Sequence, residues 1–153
     1  MSLREKLTEN MKQAMRDKDE LTLSTLRLIL SAIKDKDIAA RTADSRDGIK
    51  DEQILSLLQS MVKQRQESIK MYTQGNRPEL AERESGEIKV IESYLPKQLS
   101  DDEVKAVVQK VVKDIGATSV KDMGKVMAEL KAKYSGQMDF SKVGGIVKEK
   151  LAG

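Results

Sequence analysis

The sequence predicts an all-α protein: a four-helix N-terminal body over residues 1–95, then a small three-helix bundle over residues 96–153. Three observations predict it. Apolar residues recur at helical spacing through most of the 153 residues. Aromatic residues make up only 3% of the chain, so the aromatic alternation of an all-β core is absent. The stretch Tyr94-Leu95-Pro96-Lys97-Gln98-Leu99-Ser100 ends one helical array and starts another. Pro96 has no amide hydrogen and its ring clashes one turn back, so no helix runs through it. It also pushes Leu95 out of the helical region. Ser100 then stands as an N-cap, with Glu103 three positions on as its capping-box partner.

In the body, Ser2 and Glu5 form a capping box, so the first helix begins at once. Leu3, Leu7, Met11 and Met15 recur every four residues and are expected to face inward. The second helix runs from about Leu21 to Ala40. Leu23, Leu26, Ile29, Leu30 and Ile33 give it an apolar face broad enough for two neighbours. Its far end, Lys34 to Asp37, is expected in solvent. Arg41 to Gly48 is polar and carries turn residues, and is expected to be a disordered loop. The third helix spans roughly Ile49 to Thr73, with Ile54, Leu58, Met61, Ile69 and Tyr72 near one face. Arg65 falls near that face and there requires a carboxylate, Glu84 or Glu87. Arg27 raises the same question on helix two. Gly75 is expected to stop helix three in a left-handed conformation. Pro78 then suits the first position of helix four, which carries Leu80, Ile88, Ile91 and Leu95.

In the tail, helix five spans Asp101 to Ile115. Its five inward valines are mediocre helix formers, so tertiary packing must hold it. Gly116 ends it. Ser119 caps helix six with Asp122 at the third position, and Met123, Val126, Met127 and Leu130 form its core stripe. Asp139 caps helix seven, with Phe140, Val143, Val147 and Leu151 inward. Gly144 and Gly145 lie inside that helix, at a cost of about 1 kcal/mol each relative to alanine. Gly144 admits either a neighbouring helix or a ligand backbone. The pair is no phosphate-binding loop, because no strand precedes it and the spacing is wrong.

Composition narrows the chemistry. There is no cysteine, hence no disulfide framework and no thiolate metal site. There is no histidine, the commonest general acid/base and metal ligand. A serine nucleophile would lack a histidine base. A Ser/Lys alternative has no local signature, and no ATP-binding motif is present. Asp101-Asp102 open a helix, where the dipole favours negative charge, and capping explains them better than metal binding. No catalytic residue, cofactor or metal site is expected. No apolar leader and no membrane-length apolar run is present, so a soluble, cytoplasmic protein is expected.

Charge is uneven. Residues 1–95 hold 17 basic and 17 acidic residues; residues 96–153 hold 11 lysines against 8 acids, the whole +3 excess. A basic tail suits a polyanion. Lys121 and Lys125 lie one turn apart, opposite the Met123/Val126/Met127/Leu130 stripe. Gly124 lets a backbone approach, and Lys131, Lys133, Lys142 and Lys148 are expected to extend the surface. These residues either contact nucleic-acid phosphate or form an ordinary solvated face. Lysine contacts phosphate as a point charge without reading bases.

Several segments together resemble one family: Asn10-Met11-Lys12-Gln13-Ala14-Met15 with Lys18-Asp19; Lys63-Gln64-Arg65 with Glu67-Ser68, Tyr72 and Gly75; Glu92, Tyr94-Leu95-Pro96, Gln98-Leu99-Ser100; and Asp122-Met123-Gly124-Lys125-Val126-Met127. Over nearly its whole length the chain resembles the GatB/YqeY family, specifically the stand-alone YqeY-like proteins. Asn10 stands where an acidic residue is usual, and Asn76 separates Gly75 from Arg77 where the pattern has Gly-Arg. The resemblance implies a tail similar to the C-terminal domain of GatB, the larger component of the glutamine-dependent aminoacyl-tRNA amidotransferase, which contacts tRNA. Related modules accompany some glutaminyl-tRNA synthetases. Implied partners are thus tRNA or a tRNA-bearing complex, with an aminoacyl-tRNA synthetase or the amidotransferase. The family also carries an enzymatic label, carbon–nitrogen ligation with glutamine as amido-nitrogen donor, yet 153 residues hold no counterpart of GatB's catalytic domain. Three readings follow: a non-catalytic tRNA-binding module, a component of tRNA-dependent amidation, and a protein-interaction bundle docking through the helix 3–4 region.

Overall fold

The computed structural model describes residues 2–41 and 47–152. Among these the regular structure is all helical: α1 Leu3–Asp17, α2 Glu20–Ala39, α3 Asp51–Gln74, α4 Pro78–Glu92, α5 Asp101–Ile115, a 3-10 turn Val120–Asp122, α6 Met123–Tyr134 and α7 Phe140–Ala152. The chain divides into two compact units, Met1–Leu95 and Pro96–Gly153.

The first unit is built on Leu7, Leu26, Ile29, Ile33, Ile49, Ile54, Leu58, Met61 and Ile91. Ser2 caps α1 by accepting from the Glu5 amide, and Asp19 caps α2 by accepting from Thr22. The inward stripe of α1 departs from the strict four-residue spacing. Each such step gains about 40° on a helix of 3.6 residues per turn. By Met15 the stripe has rotated outward: Met15 is half-exposed, and Ala14, seven residues after Leu7, is buried instead. Pro78 is the first residue of α4, as expected, but the left-handed residue after α3 is Asn76 (φ 57°) and not Gly75 (φ −83°). Asparagine tolerates that region better than other side chains, so the residue interrupting the family pattern is the one that makes the turn.

Asp37 is not in solvent. It accepts from Arg4 through both oxygens (2.7 and 3.0 Å) and from the Ile49 amide (2.8 Å), while Arg4 also donates to the Ile49 carbonyl (3.0 Å). This network ties α1, the end of α2 and the approach to α3. Gly48 is fitted against it, since a Cβ there would lie 2.5 Å from Arg4 Nη2 and 2.7 Å from Asp37 Oδ1. Of the expected disordered loop, residues 42–46 lie outside the described residues. Ile49, expected to start α3, precedes it as a buried residue.

The Arg4 hydrogen bond holds the Asp37 carboxyl below the usual carboxylate range, and burial opposes that only in part. The folded state therefore releases this proton more readily than the unfolded chain, whose aspartate titrates near about 3.9. The stabilisation is present above that value and disappears as pH falls through the folded one. Asp37→Ala is expected to cost the unit about 1–3 kcal/mol at neutral pH by orphaning the Ile49 amide and Arg4. In denaturant melts the gap between wild type and variant should shrink below about pH 4; an undiminished gap would contradict the assignment.

Arg65 finds both expected partners. Its Nε lies 3.0 Å from Glu87 Oε2 and 3.9 Å from Glu84 Oε2, and Nη1 donates to the Met61 carbonyl (3.1 Å). Arg27 is exposed and settles as a surface cation. Asn10 Nδ2 donates to the Tyr94 hydroxyl (2.7 Å), joining α1 to the residues after α4.

The second unit packs α5, α6 and α7 around Val104, Val108, Val111, Val126, Leu130, Met138, Val143, Val147 and Leu151. Ser100 and Glu103 form the capping box, and Gly116 is left-handed at φ 75°. Residues after Pro96 are pinned to this unit: Leu99 N donates to the Gln137 carbonyl (2.9 Å), and Gln98 Nε2 donates to the Gly136 carbonyl.

Candidate nucleic-acid interface

The site begins at the 3-10 turn. Asp122 folds back, its Oδ2 accepting from the Thr118 amide (3.0 Å) and the Ser119 amide (3.4 Å). Those two amides, with Lys125 nearby, hold its carboxyl below the usual range. Asp122 is thus occupied in shaping the turn, and Lys121 stands exposed beside it. α6 continues with Val126 and Leu130 fully buried and Met123 and Met127 half-buried against the tail core. This fixes which side of α6 looks outward: Gly124, Lys125, Ala128, Lys131 and Ala132 are all exposed.

All six candidate lysines are exposed, but the helices do not gather them into one array. Lys125 looks outward from α6 with Lys121 exposed on the turn before it, whereas Lys131 lies about 120° from Lys125, in line with Gly124. Lys133 lies about 160° from Lys131 around the same axis and is paired with Glu129 (2.8 Å), which raises its ammonium pKa. On α7, Lys142 and Lys148 lie about 120° apart. Lys148 shares the flank of Gly144, the glycine closest to Met123 of α6; Lys142 lies on the other flank. The candidate surface is therefore Lys121 and Lys125 on the outer side, Gly124 and Lys131 on one flank of it, and Lys148 at its margin, while Lys133 is set apart by its pairing with Glu129. Among the described residues none of Lys121, Lys125, Lys131 and Lys148 has an acidic partner within ion-pair distance.

The glycines behave differently from expectation. A Cβ at Gly144 would meet only Met123 Cε, at 3.8 Å, an ordinary contact, so close helix approach does not require glycine there. Among the described residues, a Cβ at Gly124 or Gly145 would meet nothing within 4 Å. Both positions carry the helix penalty with no packing return inside the molecule. Gly145→Ala is expected to stabilise the tail by about 1 kcal/mol, read as an upward shift in its melting transition. A neutral or lower transition would show that glycine is needed in the folded tail itself.

Among the described residues no group of histidine, cysteine and carboxylates has metal-binding geometry. An open concavity of about 570 Å³ between α2 and α4 is lined by Leu21, Glu79, Glu82, Arg83, Ser85, Gly86 and Lys89, with acidic and basic side chains in equal number.

A family model described as Yqey-like protein matches residues 4–151. The chain belongs to the YqeY-like family. Three similar curated proteins are each named Altered inheritance of mitochondria protein 41, mitochondrial. The Vanderwaltozyma polyspora protein is 35% identical over 124 residues, covering 76% of this chain and 64% of the relative. The Kluyveromyces lactis protein is 37% identical over 113 residues, covering 71% and 58%. The Saccharomyces cerevisiae protein (strain YJM789) is 32% identical over 91 residues, covering 58% and 46%. The chain thus spans less than two thirds of the length of these relatives. Among the described residues no helix is long and apolar enough to cross a membrane.

Several of the YqeY-like motif residues are ties within the fold. Asn10 meets Tyr94, Arg65 meets Glu87, and Gln98 and Leu99 bind the segment before α7. The Asp122–Met127 motif is divided. Asp122, Met123, Val126 and Met127 serve the turn and core, whereas Gly124 and Lys125 face outward. Sequence reasoning missed Met138, which is 2% exposed; it sits in a turn, where helical periodicity gives no signal.

Proposed function

We propose that this YqeY-like chain is a tRNA-binding helical module, accessory to tRNA-dependent amidation, that holds the RNA backbone on the outer face of α6. The observation that carries this reading is the exposed set Lys121, Lys125 and Lys131, without ion pairs among the described residues, beside Gly124, whose backbone is open to approach. The tail supplies the chain's whole positive excess, which draws a polyanion by long-range attraction. The tail motifs' resemblance to the amidotransferase component GatB, read from the sequence, supports tRNA as the polyanion. Lys148 adds a marginal contact; Lys133, paired with Glu129, and Lys142, on another flank of α7, contribute only to the general field. A cytoplasmic location belongs to this reading; the relatives' names place those proteins in mitochondria, and cell fractionation discriminates the two.

Titrating labelled bulk tRNA with the full chain tests the proposal. With about four phosphates neutralised, affinity should fall roughly a hundredfold between 50 and 200 mM salt. Binding that is absent, or indifferent to salt, would refute it. Catalysis as a carbon–nitrogen ligase with glutamine as donor is the competing enzymatic reading, and glutamine-dependent amidation of mischarged tRNA by the chain alone would establish it. Met71 on α3, 72% exposed, favours the protein-interaction reading. Capture of an amidotransferase or synthetase through α3 and α4 after nuclease treatment, lost in Met71→Glu, would support that one.

A further inference from the structure

Resting on the tRNA-binding reading, we infer that the α6 face takes folded, double-helical RNA by its phosphate lattice, without regard to base sequence, and discriminates against single strands. Three features of the tail carry this. Residues 96–153 contain 11 lysines and no arginine. Base edges are read by planar, bidentate groups, and arginine on guanine is the commonest such contact. An ammonium can also donate to guanine, but the deep, narrow major groove of A-form RNA keeps side chains from the base edges, so an all-lysine surface holds phosphates.

The second feature is the placement of the aromatics. Proteins that hold single strands stack successive bases on exposed rings. The tail has two rings, Tyr134 and Phe140, and both are packed against its core. Both rings are half-buried, so the unstacked bases of a single strand find no fully exposed ring on the tail to stack on.

The third is rigidity. Lys121 stands on a capped turn and Lys125 and Lys131 on one helix. Their backbone positions are separated along α6 by fixed rises, about 9 Å from Lys125 to Lys131. Gly124, Ala128 and Ala132 keep the surface between them low. Lysine stems rooted at fixed backbone positions reach the phosphates of a regular lattice, whereas a flexible strand must itself be ordered to meet them. Duplexes also return more counterions per phosphate neutralised, about 0.9 against about 0.7 for single strands.

The test uses the full chain and fluorescence anisotropy at one low salt concentration. The probes are bulk tRNA, a 20-nucleotide RNA hairpin, a second hairpin with its stem sequence permuted, and oligouridine of the same length. The two hairpins should bind within about twofold of each other, and oligouridine about tenfold more weakly than either. Lys121→Ala/Lys125→Ala should weaken the hairpins and leave the weak oligouridine binding little changed. Oligouridine binding as tightly as the hairpins overturns the inference, as does a tenfold difference between hairpins, or tRNA binding with no hairpin binding. In each of those cases tRNA binding itself still stands. If neither tRNA nor hairpins bind, the reading beneath the inference fails too.

Discussion

Arg65→Ala is expected to destabilise the Met1–Leu95 unit by about 3–5 kcal/mol, the cost of leaving a buried ion pair half-made. Arg65 and Glu87 side chains are only 12% and 9% exposed. Removing the guanidinium leaves the Glu87 carboxylate buried, with Glu84 a second negative charge beside it. Burial, followed by the neighbouring Glu87, already raises the Glu84 pKa above its ordinary value with Arg65 present. The sign of its linkage follows. A carboxyl raised on folding stabilises below its unfolded pKa, and that contribution is lost as pH rises through the folded one. In the variant Glu84 loses the cation that favours its charged form, so the deficit should be larger at pH 8 than at pH 5. Since whole domains hold about 5–15 kcal/mol, the unit should melt more than about 12 °C lower. Replacing both partners, as Arg65→Met with Glu87→Leu, should recover much of the loss, because apolar groups of similar volume need no counter-ion. A melting temperature within a few degrees of wild type for Arg65→Ala would show that the cluster is solvated.

Lys121→Ala/Lys125→Ala should weaken tRNA binding at least tenfold and make its log–log salt slope shallower by about 2, one per phosphate contact removed. Alanine is the best helix former, and both lysines are exposed, with no ion pair among the described residues, so the melting curve should be almost unchanged. Binding and folding are thereby separated. Lys133→Ala serves as the comparison, since its ammonium is held by Glu129. Loss of binding in Lys133→Ala equal to that of the double variant would point to net charge and not to a face.

Local sequence signals carried most of the helical architecture. Capping at Ser2 and Ser100, the proline starting α4, and the valine stripe of α5 rest on interactions within a few residues. The Arg65 cluster was also legible, because an arginine on an apolar face demands a carboxylate and the next helix offered two. What escaped depends on non-local geometry. Asp37 reads as a solvent residue because its partners, Arg4 and Ile49, lie 33 and 12 residues away. Met15 is misplaced when a four-residue spacing is treated as a straight stripe. The candidate face shows the same division. Lys121 and Lys125 can be placed opposite a core stripe from α6 alone. The flank on which Lys142 and Lys148 fall relative to α6, and the open space around Gly124, depend on how α6 and α7 pack.

Lysine labelling with and without bound tRNA, read residue by residue by mass spectrometry, tests the face most directly. Lys121, Lys125 and Lys131 should be protected by tRNA, with Lys148 less so, while Lys133 and Lys142 label as in the free protein. Unchanged labelling at Lys121 and Lys125, with protection on α5 or within residues 1–95 instead, would contradict the account.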